Sequence, residues 1–279
     1  MSFSTHWKNN STVFHSLEKK FPHDGKRPFP ILMGILNATP DSFSDGGAHA
    51  SPAAAVRQAL RLREAGVQIL DVGAESTRPG YTPVEEQEEC RRLLPVLDAL
   101  AAALPLPLSV DTQKPGVARA ALEHGAAWLN DIGGLSAPGM LAFARQGRFP
   151  IVLMHGVGHK LDPADPQPSA SIAEWADRLL PRLKLNPSRL ILDPGIGFGT
   201  TREQDAGILA NLKPLVDVGL PLLIGLSRKR VVRFLHPQEE IDQATARLAW
   251  QAGQNGAAIL RLHNPAAYAA FAASRKRPS

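Results

Sequence analysis

The sequence predicts one α/β domain, a (β/α)8 (TIM) barrel over residues 30–279, preceded by an N-terminal extension at 1–29. Three features carry that reading. Eight short runs rich in Ile, Leu and Val, each bounded by Gly or Pro, read as parallel strands buried on both faces. Longer amphipathic stretches alternate with them. Eight such units in roughly 250 residues match the count and length of a closed barrel. A doubly wound open sheet would show a glycine fingerprint after its first strand, and none is present.

The strands fall in order at ILMGIL (31–36), QILDVG (68–73), LPLSVDT (106–112), AAWLNDI (126–132), PIVLMH (150–155), RLILDPG (189–195), LPLLIGLS (220–227) and AAILRLH (257–263). The first helix opens at Ser51-Pro52, a cap residue and a first-turn proline, and stops at Gly66. Further helical patterns occupy 84–103, 115–124, 137–146, 171–185, 203–217, 242–254 and the Ala-rich 265–273. Residues 1–29 show no clean period and read as a partly mobile extension.

Composition narrows the function. Apolar residues make up 44% and charged residues 20%, ordinary for a globular domain. The net charge of +5 suits a solvated surface with a basic tail, Arg275-Lys276-Arg277, or an anionic ligand. No basic run is interleaved with aromatics, which argues against nucleic acid. The single cysteine, Cys90, excludes an internal disulfide and fits a reducing, cytoplasmic setting. The polar start and the lack of an 18-residue apolar run predict neither a signal core nor a membrane span.

A barrel of this kind carries its chemistry at the C-terminal ends of the strands. Every strand here delivers a polar group to that end: Asn37, Asp71, Asp111, Asn130-Asp131, Met154-His155, Asp193, Ser227-Arg228-Lys229 and Arg261-Leu262-His263. Singly, each has a plain alternative. Asp71 lies within its strand and reads as a buried structural group. His155 reads as a packing histidine, Asp131 equally as a helix cap or a ligand contact, and Arg228 as an external ion pair. Their coincidence at one end is the signal.

The residue types divide into two sets. Asp111, Asn130 and Asp193 offer acceptors, which a ligand with two adjacent N–H donors, such as a 2-amino-4-oxo pyrimidine ring, would satisfy. Arg261 and His263, two apart on one face of strand 8, suit a phosphate. Asn37 adds an oxygen for Mg2+ shared with that phosphate. Lys229 is a donor between the two groups. The segment GILNATPDSFSDGG (34–47) spends about a dozen turn-forming and hydroxyl residues after its strand, more than connection requires. Its Phe43 suits closure over an aromatic partner.

At this point the sequence resembles the dihydropteroate synthase family. The resemblance rests on MGILNATPDSFSDGG (33–47), DVGAESTRPG (71–80), SVDT (109–112), NDI (130–132), LMH (153–155), LDPGIGFG (192–199), GLSRK (225–229) and RLH (261–263), and covers roughly residues 30–273. It implies the joining of p-aminobenzoate to 6-hydroxymethyl-7,8-dihydropterin diphosphate, with Mg2+, in folate biosynthesis. It implies that Asp111, Asn130, Asp193 and Lys229 hold the pterin against Met154 and Phe198. Asn37, Thr77, Arg261 and His263 would hold diphosphate, Asn37 also the metal. Phe43, Thr77, Arg78, Pro79 and Arg230 would line the p-aminobenzoate pocket, and Asp111, Lys229 and Asp45 would act in catalysis. A homodimer through late helices and competition by sulfonamides are further implications.

Some positions depart from the family pattern. Arg230 follows Lys229 where a small residue is usual, the 156–170 segment is altered, and Thr200 replaces a common Lys. The first two bear on the p-aminobenzoate pocket and raise either a sulfonamide-insensitive member or ordinary lineage drift. The other functions weighed are a pterin-binding methyltransferase and a silent pterin-binding paralogue. The full diphosphate set and the two loop motifs speak against the first, and the retained Asn37, Arg261 and Phe43 against the second.

Overall fold

The computed structural model describes residues 30–38, 51–75 and 83–275. The predicted extension, and Phe43, Asp45, Thr77, Arg78 and Pro79, lie outside the described residues. Each apolar run becomes a strand: β1 (Ile31–Asn37), β2 (Ile69–Gly73), β3 (Leu108–Asp111), β4 (Ala126–Asp131), β5 (Ile151–Met154), β6 (Leu190–Asp193), β7 (Leu223–Gly225) and β8 (Ile259–Leu262). All pairs are parallel, in the order β6-β5-β4-β3-β2-β1-β8-β7. A bridge between Leu192 and Leu222 brings β6 beside β7 and completes the barrel.

The helices form the outer ring: α1 (Pro52–Glu64), α2 (Glu86–Ala103), α3 (Pro115–Glu123), α4 (Met140–Gln146), α5 (Pro168–Leu183), α6 (Arg202–Ala210), α7 (Lys213–Asp217), α8 (Arg230–Leu235), α9 (Ile241–Gln254) and α10 (Pro265–Arg275). Local chemistry explains several ends. Pro52 sits in the first turn of α1, and Gly66, at φ 91°, lets the chain turn back toward β2. Glu86, Glu88 and Glu89 occupy the first turn of α2, where acids complement the helix dipole. Thr201 and Gln204 form a reciprocal capping box at the start of α6.

Three expectations need correction. The single helix expected over 203–217 is two helices, because the chain leaves helical geometry at Asn211 (φ −140°, ψ 83°) and restarts with Pro214 in the first turn of α7. The apolar period runs through the break and hides it. Helix α8 was not expected, its six residues being too few to show a period. Helix α5 also begins earlier than its pattern suggested, with Pro168 in the first turn.

The core has two layers. Leu, Val and Ala from the outward faces of the strands pack against the helices. Inside the barrel a smaller cluster of Ile31, Met33, Ile69, Trp128, Val152, Ile191, Leu223 and Ile259 fills the floor. Each such aliphatic side chain contributes about 1.5–3 kcal/mol on burial. On the flank between α2 and the β3–α3 loop lies a buried ionic cluster. Lys114 Nζ donates to Glu75 Oε2 at 2.7 Å and to Glu89 Oε2 at 2.5 Å, and Glu75 Oε1 accepts the Val84 N–H at 2.8 Å. Glu75 thus ties together the two ends of the 75–84 connection.

Candidate active site

The period of a strand builds the mouth of the barrel. Side chains two residues apart point the same way, so the residue after next beyond each floor residue also faces inward. Ile69 is followed by Asp71, Trp128 by Asn130, Val152 by Met154, Ile191 by Asp193 and Ile259 by Arg261. Ser109 and Asp111 occupy the same phase of β3. A polar layer therefore stands directly on the apolar floor. Gly225 faces Arg261 in the β7–β8 register, and a Cβ there would lie 3.8 Å from both Arg261 Cβ and Lys229 Nζ.

Arg261 is the centre of this layer. Its Nε donates to Asp71 Oδ2 at 2.6 Å and its Nη2 to Asp111 Oδ2 at 2.7 Å. Asn130 Nδ2 donates to the same Asp71 oxygen at 2.9 Å. The other oxygens, Asp71 Oδ1 and Asp111 Oδ1, are buried without a hydrogen-bond partner. One guanidinium thus serves two buried carboxylates, and acceptors remain in excess. An unmatched buried acceptor costs about 1–3 kcal/mol, more when charged, which a donor-bearing ligand would recover. Burial pushes the Asp111 carboxyl up to about 7, against the opposing pull of Arg261. Burial disfavours the Arg261 charge, but Asp71 and Asp111 more than offset it and hold the guanidinium above its usual range.

Asp193 and Lys229 form the opposite side. Asp193 Oδ1 accepts the Gly195 N–H at 2.8 Å, which starts the Pro194–Gly199 loop. Gly195 is required there: its φ is 70°, and a Cβ would fall 1.6 Å from the His155 carbonyl oxygen. Lys229 donates from Nζ to the Ile196 carbonyl and stands 4.9 Å above the Phe198 ring centroid. Arg228, in the left-handed region at φ 60°, makes the sharp exit from β7 that precedes Lys229. Burial raises the Asp193 carboxyl and lowers the Lys229 ammonium to about 8, while the attraction between the two opposes both shifts.

The structure thus brings Asp111, Asn130, Asp193, Lys229 and Arg261 to one mouth, with Met154 at the end of β5 and half-buried Phe198 on the adjoining loop. Asn37 is half-buried at the end of β1, in register with Gly73. His263 lies two residues beyond Arg261, half-buried, and its N–H donates to Ser227 Oγ at 2.9 Å. Arg230 is exposed at the start of α8.

Two ambiguous residues resolve as structural. Asp131 accepts the N–H groups of Gly133 and Leu135, each at 2.8 Å, one on each oxygen, and burial pushes its carboxyl up to about 6. His155 packs edge-on against Trp175 with centroids 4.9 Å apart, and burial lowers it to about 4, so it is neutral. Conversely, Asp71 is more than a structural carboxylate, since it orients both Arg261 and Asn130. Its place two residues after Ile69 carried that signal. Glu89 was also overlooked. It falls on the stripe shared by Leu93, Val96, Leu97 and Leu100, where a charged residue signals a buried ion pair.

Comparison with known proteins identifies the family. A family model described as pterin binding enzyme matches residues 33–263. The dihydropteroate synthase of Escherichia coli (strain K12) is 40% identical over 245 residues, covering 84% of this chain and 86% of the relative. The crystal structure of Xanthomonas albilineans dihydropteroate synthase with 4-aminobenzoic acid superposes with a TM-score of 0.81 at 41% identity, covering 90% of this chain and 94% of that one. The same enzyme in complex with 7,8-dihydropteroate gives a TM-score of 0.77 at 39% identity over 90% of this chain and 95% of that one. The chain belongs to the dihydropteroate synthase family of pterin-binding enzymes.

Proposed function

We infer that this chain is the transferase that joins p-aminobenzoate to 6-hydroxymethyl-7,8-dihydropterin diphosphate, forming 7,8-dihydropteroate and diphosphate. The observation that carries this beyond family membership is the acceptor surplus at the mouth, with Asp111 Oδ1 buried and unpartnered while Oδ2 accepts from Arg261. A pterin presents adjacent N–H donors and ring acceptors that complement this set.

In this reading Asp111, Asn130 and Asp193 take the pterin donors and Lys229 supplies a donor to the ring. Met154 and Phe198 flank the ring. Arg261 spends Nε and Nη2 on Asp71 and Asp111, which leaves Nη1 for an anion. With His263, Asn37 and Thr77, it holds the diphosphate. The amine nitrogen of p-aminobenzoate gives its electron pair to the pterin methylene carbon. The C–O bond to diphosphate breaks, its pair stays on the departing oxygen, and the amine loses a proton. Positive character on the methylene is stabilised by ionised Asp111 and by Asp45. Phe43, Thr77, Arg78, Pro79 and Arg230 contribute to the p-aminobenzoate pocket.

Mg2+ fits this donor set as a substrate-borne ion. Among the described residues no group of three or more His, Cys, Asp or Glu side chains is placed to hold a metal. Mg2+ is commonly held by few protein oxygens together with substrate phosphates and water, which needs no more than the Asn37 oxygen here. When bound, it would neutralise charge on the diphosphate.

The exposed small face of α10, at Ala266, Ala269, Ala270 and Ala273, favours a homodimer. The lone cysteine favours a cytoplasmic location, and no described helix is long and apolar enough to cross a membrane. The test of function is diphosphate release with pterin diphosphate, p-aminobenzoate and Mg2+, repeated with a sulfonamide present. Release that needs both substrates supports the reading; pterin binding without release contradicts it. Unblocked release would assign an altered pocket to Arg230 and the 156–170 segment.

A further inference from the structure

Behind the mouth, a second buried carboxylate bears on Lys229. The Lys229 side chain lies against a collar made by Ile196, Gly197 and Phe198. Its ammonium donates to the Ile196 carbonyl and stands 4.9 Å over the Phe198 ring, and its Cδ lies 3.4 Å from where a Gly197 Cβ would be. The middle amide of that collar is held from outside. The Gly197 N–H donates to Asp205 Oδ1 at 2.9 Å and to Thr200 Oγ1 at 3.1 Å, and the Thr200 hydroxyl donates to the same Asp205 oxygen at 2.6 Å. Asp205 is 1% exposed in the first turn of α6, which the Thr201–Gln204 capping box fixes in place.

A turn can be tied by a neutral acceptor. A buried charge is a costly way to do so unless the charge itself has a use. Lys229 and Arg230 are the cations whose fields reach Asp205. We propose that Asp205, with the Thr200 hydroxyl, is a positioning residue for Lys229: it fixes the Ile196–Phe198 collar and so the height and direction of the ammonium at the pterin ring. The proposal rests on the reading of Lys229 as a pterin donor.

Four charged groups besides Asp205 bear on the outcome. Asp193 on β6, Arg261 on β8 and Asp111 on β3 face Lys229, and Arg230 acts on Asp205. The Asp205 charge helps to keep Lys229 protonated, so neutralising it moves loss of the Lys229 proton to lower pH.

The experiment measures KM for pterin diphosphate and for p-aminobenzoate, and pteroic acid affinity from pH 6 to 9, in the full chain. Asp205→Ala is expected to raise the pterin diphosphate KM about tenfold and to leave the p-aminobenzoate KM within about twofold. Asp205→Asn keeps the acceptor oxygen. It is expected to restore KM at pH 7 while the alkaline fall in pteroic acid affinity moves about half a pH unit lower. If Asp205→Ala does not fold, Thr200→Val is expected to raise the same KM about threefold. Lys229→Met is the control for the underlying reading: wild-type pteroic acid affinity in that variant removes Lys229 as a donor and overturns the proposal with it. An impaired Lys229→Met beside wild-type constants and pH profile in the Asp205 and Thr200 variants overturns the positioning role alone.

Discussion

Among the described residues, two buried ionic clusters share one stoichiometry, and one of them stands at the candidate site. At the mouth, Arg261 joins Asp71 and Asp111; on the flank, Lys114 joins Glu75 and Glu89. Each has two carboxylates for one cation. They differ in where the strand and helix periods place them. The mouth acids project from β2 and β3 on the inward phase, above an apolar floor, and Asp111 keeps an unpartnered oxygen. The flank cluster ties Glu75 to the backbone through the Val84 N–H and also keeps one unpartnered oxygen, Glu89 Oε1, but that oxygen is on a helix of the outer ring and not at the barrel mouth. A buried ion pair is therefore a weak sign of function by itself. An acceptor surplus at the open end of a barrel is a strong one.

The largest expected effect is at Arg261. Arg261→Met leaves Asp71 and Asp111 buried without their cation, and removal of one partner from a buried pair costs about 3–5 kcal/mol. Chemical denaturation should show that loss, and dihydropteroate formation should fall to background. Lys114→Met should cost nearly as much stability, about 2–4 kcal/mol, because its pairs are also buried. In the cold, where that variant is still folded, its KM for pterin diphosphate should stay near wild type. A large KM change there would merge the two clusters in function.

Asp111→Asn separates stability from activity. The unfolded Asp111 carboxyl titrates near about 4, and the folded one at about 7. Between those values the folded state binds the extra proton, so stability falls as pH rises through the window, and the full cost is present above it. Asparagine does not titrate, so the variant's Tm at pH 8 should rise by about 2–4 °C. Its turnover should fall more than its pterin affinity. The smallest effect is at Thr201, far from both clusters in role. Thr201→Ala removes one half of the α6 capping box and should cost about 1 kcal/mol, with any rise in the pterin diphosphate KM below the roughly threefold expected of Thr200→Val.

The sequence made the mouth legible because strand period is a rigid rule. Once Ile69, Trp128, Ile191 and Ile259 are read as floor, the residues two positions on follow as its polar layer. The flank cluster was less legible. Glu89 sits in a run of four charged residues around Cys90, and only its alignment with Leu93 and Val96 distinguishes it from its exposed neighbours. The Asp205 contacts were not readable, because they depend on how the Gly195–Thr200 turn folds back on α6. The roles expected of Phe43, Asp45, Thr77, Arg78 and Pro79 lie on segments outside the described residues and rest on resemblance alone.

The most direct measurement is 7,8-dihydropteroate formation by Asp111→Asn and Lys114→Met side by side, at a temperature where both are folded. Loss of charge-assisted contacts at the reacting centre predicts a fall of about 100-fold or more for Asp111→Asn. Lys114→Met should stay within about threefold of wild type, as expected for a residue that acts through stability. Near-wild-type turnover in Asp111→Asn, or an equal fall in folded Lys114→Met, would contradict the assignment of the chemistry to the mouth.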